Sequence, residues 1–335
     1  MKKEAKFYKS LKNKMVQCSL CHHGCKIGNS QIGVCGVRKN ENGKLHTLIY
    51  GSCSSIAVDP IEKKPLYHFY PGSSALSFGT VGCNFKCLHC QNASISRAKP
   101  DFCYMKEINP EEVVELAEKS KCRGIAWTYN EPTIWHEFTF DSSKLAKKKN
   151  LYIVYVSNGY IQEDPLKEIS PYLDAINVDV KAFTEDFYKK VCKARLQPVL
   201  DTCVLVKELD IHLEVTYLII PGYNDSVDEI KQFCSWIVEK LGVDTPVHFS
   251  RFHPDFEMTN IPRTPMETMI KAYNIARDSG LHYTYLGNIP PGEYENTVCP
   301  RCKNICIERH GFSVNLAGIK NGKCAKCGNS ISVVS

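Results

Sequence analysis

The stretch GTVGCNFKCLHCQN, residues 79–92, places Cys83, Cys87 and Cys90 in a C-x3-C-x2-C pattern. Three thiolates so close on one loop do not close a four-ligand site by themselves. They suit three corners of a [4Fe–4S] cluster, with one iron left open for chemistry. The open position on a catalytic zinc serves the same purpose. A zinc ion completed by His89 or a distant residue is the competing reading, and the spacing favours it less. The loop follows the apolar run Leu76 to Thr80, which reads as a strand. That puts the cysteines at a strand's C-terminal end, the catalytic face of an α/β barrel.

Further strands are expected at Gly124 to Tyr129, Tyr152 to Ser157, Ala175 to Val180, His212 to Ile220 and Val247 to Phe252. These are short apolar runs rich in β-branched and aromatic residues, the pattern of strands buried on both faces. Helices are signalled between them. Asn109 precedes Pro110, Glu111 and Glu112 as an N-cap would. Ser226 opens a segment with Ile230, Phe233, Trp236, Ile237 and Leu241 at helical spacing. Thr264-Pro265-Met266-Glu267 reads as a capping box. Six strand–helix repeats predict a parallel α/β sheet, open or barrel-like.

The 335 residues are 43% hydrophobic and 23% charged, which excludes a disordered, collagenous or coiled-coil chain. Apolar runs such as Leu151 to Ile161 are too short to span about 30 Å of hydrocarbon. The opening MKKEAKFYKSLKNKMVQ is basic without the apolar stretch of a secretion signal. A soluble, cytoplasmic protein with no membrane association is expected. There thiols stay reduced, so the eighteen cysteines point to metal rather than disulfides. Cys103, Cys122, Cys192, Cys203 and Cys234 are scattered and read as small buried hydrophobes.

Cys299-x2-Cys302 and Cys324-x2-Cys327 form two knuckles, most simply a four-thiolate zinc ribbon over 291–335, with Cys306 spare. Cys18-x2-Cys21-x3-Cys25, with Cys35, could bind zinc or a second iron–sulfur cluster; zinc is preferred, with His22 and His23 as competing ligands. Both flanks are basic: residues 1–53 carry a net +8 and 299–335 a net +5, leaving −7 between them. Lysine and arginine offset thiolate charge there. Nucleic acid is a poorer explanation, since no recognition motif accompanies the charge.

The cluster loop resembles that of the radical S-adenosylmethionine (SAM) superfamily. The branch it is similar to is the AmmeMemoRadiSam-system radical SAM enzyme family, related to pyruvate formate-lyase-activating enzymes. The segments carrying this are CSLCHHGCKIG (18–28), GVCGVR (33–38), PLYHFYPGS (65–73), TYNEPTIWHE (128–137), SNGY (157–160), NVDVKAF (177–183), VTYLIIPGYND (215–225), HFSRFHPD (248–255) and YLGNIPPGEYENTVCPRC (285–302). The resemblance implies an α/β fold, a partial (β/α)6 barrel over 71–290. Small cysteine-rich metal-binding segments flank it at 1–70 and 291–335.

The resemblance also implies reductive cleavage of SAM to a 5′-deoxyadenosyl radical that abstracts hydrogen from a protein or small molecule. The electron comes from a donor such as a flavodoxin or ferredoxin. Asn130 and Glu131 take the place of the turn that grips the methionyl amino group. Ser157, Asn158, Asp179 and Lys181 stand where ribose and carboxylate are held, and Asp179 with Lys181 also reads as a buried ion pair. The arginine that related activases place on the fifth strand is missing, with Val215 and Thr216 there instead. Arg251 and His253 are candidates for charged contacts in the cavity. Memo-type and AMMECR-type proteins are the companions implied. The alternatives are a glycyl-radical-enzyme activase and a non-catalytic zinc and iron–sulfur protein.

Overall fold

A computed structural model describes every residue of the chain except Cys103, so that thiol lies outside the described residues. Its centre is one sheet built in chain order: β1 (Ser55–Pro60), β2 (Ser74–Gly79), β3 (Gly124–Trp127), β4 (Tyr152–Ser157), β5 (Ala175–Asp179), β6 (His212–Ile219), β7 (Val247–Arg251) and β8 (Thr284–Gly287). β1 runs antiparallel to β2, and every later pair is parallel. The crossovers carry α1 (Pro110–Lys119), α2 (His136–Lys147), α3 (Glu163–Ile169), α4 (Gln197–Glu208), α5 (Val227–Trp236) and α6 (Met266–Asp278). Six strand–helix units in unbroken order make a partial barrel with all loop sites at one rim.

All six expected strands form. β1 and β8 extend the sheet at its two edges. β1 is half-exposed with an apolar run of only Ile56 to Val58, and β8 is only four residues long, so neither carries a strong periodic signal. Asn109 caps α1 in a reciprocal capping box with Glu112, and Ser226 caps α5 through the Glu229 amide. The box expected at Thr264 does not form. Its hydroxyl instead donates to the Ile219 carbonyl at 2.6 Å and accepts from the Phe252 amide at 3.1 Å, joining β6 to β7, and α6 starts at Met266. Cys192, Cys203 and Cys234 are buried in the core as expected, and Cys122 at its edge.

The flanking segments are small antiparallel ribbons, such as Arg38–Glu41 with Lys44–Thr47 and Thr297–Val298 with Ile305–His310. Among the described residues no helix is long and apolar enough to cross a membrane.

Residues 65–69 tie the flanks to the sheet through Glu214 on β6, whose carboxylate is fully buried. It accepts from the Tyr67 and His68 amides at 3.0 and 2.7 Å and pairs with His212 and His248 at 3.0 and 2.6 Å. The C-terminal segment grips the same stretch. Arg309 donates to the Tyr67 carbonyl at 2.7 Å, and the His68 ring lies 2.7 Å from the Ser332 carbonyl. Burial alone would push the Glu214 carboxyl up, but hydrogen bonds from both histidines hold it well below its ordinary value of 4.5. A lowered pKa stabilises the fold above the unfolded-state value and is lost as pH falls beneath it. Glu214→Ala should therefore cost about 3–5 kcal/mol at neutral pH, because several buried donors lose their acceptor. The difference from the parent chain should shrink as denaturant titrations move below about pH 4.5, and a constant difference would count against the assignment.

Candidate active site

A cavity of about 500 Å³ opens at the C-terminal ends of the strands. Cys83, Cys87 and Cys90 reach it from the loop after β2. Asn130 comes from the turn after β3, Ser157 and Asn158 from the end of β4, and Asp179 and Lys181 from the end of β5. Thr216 of β6 and Ser250 of β7 complete the far wall. The cluster loop can lie this close to the N-terminal segment because residue 82 is glycine. Its φ is +85°, and a Cβ there would sit 2.7 Å from the Cys35 carbonyl oxygen.

A hydrogen-bond network fixes the loop against the strand ends. Asn130 accepts from the Thr80 amide at 3.1 Å and donates to the Gly82 carbonyl at 2.8 Å. Asn158 donates to the Asn84 side chain at 2.8 Å, beside Cys83. Glu131 lies behind both. Its carboxylate is fully buried and accepts from the Thr133 amide (2.9 Å), the Ser157 hydroxyl (2.8 Å) and the Asn158 amide (2.9 Å). Burial raises its pKa against those donors. Glu131 therefore does not form cavity wall, and its oxygens are taken by this chain's own donors. It positions Ser157 and Asn158.

Asp179 and Lys181 form a 2.6 Å ion pair in the cavity wall. Burial alone would lower the Lys181 pKa, but Asp179 and then Cys87 hold it above its ordinary value. Arg251 and His253 do not reach the cavity. Arg251 turns away to donate to the Thr264 carbonyl at 2.6 Å, and His253 is half-buried outside the cavity with Nδ1 3.3 Å from the Pro254 carbonyl.

Two features have no signal in the sequence. Cys192, which reads there as core filler, is buried beside the cluster loop and draws the Cys87 pKa down. The same turn pins the loop, since the Lys86 and Leu88 amides donate to the carbonyls of Cys192 (2.9 Å) and Val191 (3.1 Å). At the rim, Lys64 is buried against Asp59 at 2.6 Å, and burial lowers its pKa to about 8. Tyr129 donates to the same carboxylate at 2.5 Å. Only the proximity of Cys192 to the loop in three dimensions marks it.

Cys83, Cys87 and Cys90 are unpaired thiols facing one cavity, and among the described residues no fourth cysteine stands in its wall. This donor set fits a [4Fe–4S] cluster with one open iron. At the C-terminus, Cys299, Cys302, Cys324 and Cys327 bring their sulfurs within 4.8 Å of one another, a set that can hold a metal ion.

The Radical SAM superfamily model matches residues 78–236. Over 334 residues the chain is 46% identical to an uncharacterised protein of Methanocaldococcus jannaschii, covering 99% of each chain. The chain belongs to the radical SAM superfamily. It is an enzyme of that superfamily. It is also 23% identical over 200 residues to the pyruvate formate-lyase-activating enzyme of Clostridium pasteurianum, covering 54% of this chain and 80% of that one. A radical SAM methyltransferase from Sphaerobacter thermophilus shares the fold, with a TM-score of 0.50 at 15% identity over 65% of this chain and 67% of the other.

In this radical SAM protein two substitutions test the network. Glu131→Ala should destabilise the chain by about 3 kcal/mol in thermal unfolding, since it orphans buried donors. It should also lower the iron retained after reconstitution, and normal stability with normal iron would make Glu131 dispensable. Cys192→Ala removes the neighbour that holds the Cys87 pKa down, a stabilisation on the scale of one hydrogen bond, about 1 kcal/mol. A redox titration should then show the midpoint potential lowered by roughly 40 mV for one electron. An unchanged potential would return Cys192 to the role of core filler.

Proposed function

We propose that this enzyme holds a [4Fe–4S] cluster on Cys83, Cys87 and Cys90, binds SAM in the adjoining cavity, and turns it to hydrogen abstraction from a protein or small-molecule substrate. The observation that carries this reading is the convergence of those three thiols with the Asp179–Lys181 pair in one cavity. When bound, the cluster supplies one electron to the SAM sulfonium, which breaks the C5′–S bond and yields methionine and the 5′-deoxyadenosyl radical.

The chain's own residues bind and orient. Lys181 offers an ammonium to the SAM carboxylate, the part played by the arginine that β6 lacks. Asp179, Ser157 and Asn158 supply polar contacts for ribose and amino groups, and Asn130 keeps the cluster loop in register with them. Phe85, Val156 and Leu218 line the same cavity and exclude water around the reacting atoms. The C-terminal thiols hold structural zinc, since their facing sulfurs stand 3.7 and 3.6 Å apart. One tetrahedral ion asks for about 3.8 Å.

The electron donor is a one-electron carrier such as a flavodoxin or ferredoxin, and the setting is the cytoplasm. The segments shared with the AmmeMemoRadiSam-system family support work alongside Memo-type and AMMECR-type proteins. Similarity to the Clostridium pasteurianum enzyme supports a second reading, a glycyl-radical-enzyme activase acting on a protein loop.

Anaerobically reconstituted protein given dithionite and SAM should form 5′-deoxyadenosine, and the combined Cys83→Ala, Cys87→Ala, Cys90→Ala variant should form none. Deoxyadenosine persisting in that variant would move the active cluster elsewhere. None from a parent chain with a reducible, SAM-bound cluster would mean that substrate gates cleavage.

A further inference from the structure

One cysteine set has no part in the active site. Cys18, Cys21, Cys25 and Cys35 line a separate small cavity in the N-terminal segment, and all four are free thiols. Leu20, Ile27, Val34 and Ile134 make its apolar shell. His23 lines this cavity as well, with one ring nitrogen engaged outside it. The His23 Nε2 lies 2.7 Å from the Asn84 carbonyl, and His22 faces a different cavity. The four sulfurs are the largest donor set in its wall. Arg38, fully buried, brings Nη1 to 3.7 Å from the Cys18 sulfur, a counter-charge and hydrogen-bond donor for a thiolate-rich group.

Sulfur spacing separates the two metals this set could take. Zinc at about 2.3 Å from each sulfur draws four thiolates to about 3.8 Å from one another. The C-terminal set has that geometry, with all its sulfurs within 4.8 Å. Among the described residues the N-terminal thiols form no such tight group, and neither do Cys83, Cys87 and Cys90. A cubane places four irons and four sulfides among its thiolates, which therefore stand farther apart than around one ion. The N-terminal thiols thus share with the cluster-binding set the lack of the tight grouping that the C-terminal thiols have.

The site also abuts the catalytic loop. The Cys35 carbonyl presses on Gly82, Ile134 lies against both, and His23 grips Asn84, the neighbour of Cys83. We propose that Cys18, Cys21, Cys25 and Cys35 hold a second [4Fe–4S] cluster, seated against the loop that carries the first. The zinc preferred for this segment on sequence gives way to the cluster on spacing.

The test uses the full chain carrying Cys83→Ala, Cys87→Ala and Cys90→Ala, reconstituted anaerobically with iron and sulfide. It should retain about four irons and four sulfides per chain, against about eight of each in the parent. Dithionite should produce the electron paramagnetic resonance signal of a reduced [4Fe–4S] cluster, and SAM should leave that signal unchanged. Adding Cys25→Ser and Cys35→Ser should remove the remaining iron and leave the C-terminal zinc. Two zincs and no iron in the triple variant, or a two-iron cluster, would overturn the proposal. The triple variant leaves the N-terminal thiols intact, so its metal content does not depend on whether their substitutions fold. It also needs no deoxyadenosine, so it stands apart from the outcome of the cleavage assay.

Discussion

The carboxylate of Glu131 is the constraint on which the site depends. A fully buried charge is costly unless it is met by donors, and here it is met from two directions. One donor belongs to its own turn after β3, and two belong to Ser157 and Asn158 at the end of β4. The neighbouring strand ends are thereby locked at one height. Asn158 carries the constraint on to Asn84, and Asn130 carries it to Thr80 and Gly82. A loop of about twelve residues with three thiols is otherwise free to rearrange. Held at both flanks, it presents all three to one cavity.

The opposite side of the barrel solves a related problem with the same chemistry. Glu214 is buried mid-strand and gathers two histidines and two backbone amides. The amides belong to residues 67 and 68, so a stretch without regular structure is fixed in place by hydrogen bonds rather than by a ladder. Because Arg309 and Ser332 hold the same stretch, the C-terminal segment reaches the barrel through it. Each buried carboxylate thus joins segments that are far apart in sequence.

Much of this was legible in the sequence, for reasons that can be named. The parallel strands read clearly because burial on both faces leaves uninterrupted apolar runs such as 152–157, and the loop cysteines read clearly because metal ligation demands local spacing. Polar side chains were harder. Asn130, Ser157, Asn158, Asp179 and Lys181 do meet in the cavity, since strand ends converge there whatever their partners. Glu131, Arg251 and His253 stand outside its wall, because sequence places a residue at a rim without saying which way it turns. At Thr264 a helix-start pattern was real, but a tertiary demand for a bridge between β6 and β7 took the hydroxyl. Cys192 was invisible because nothing local distinguishes a thiol beside a ligand from one in a core.

The uneven charge resolves within the molecule. The basic N-terminal segment lies on the acidic face made by α2 and α3, with Lys3 on Asp141 at 2.6 Å and Lys6 on Glu168 at 2.8 Å. Half-exposed pairs of this kind contribute little to stability, at most about 1 kcal/mol each. The buried Arg38–Glu137 pair is different. Arg38 also donates to the Lys6 carbonyl at 3.0 Å, and Glu137 accepts from the Lys6 amide at 2.7 Å, so both charges are tied to one backbone residue. Such a pair has one satisfied geometry, and any sliding of the segment along α2 would leave a buried charge alone. It therefore fixes the register of the N-terminal thiols against the catalytic loop. Part of the positive charge at this end is thus met by acidic groups of the chain itself, while Lys9, Lys12, Lys14 and Lys26 remain exposed.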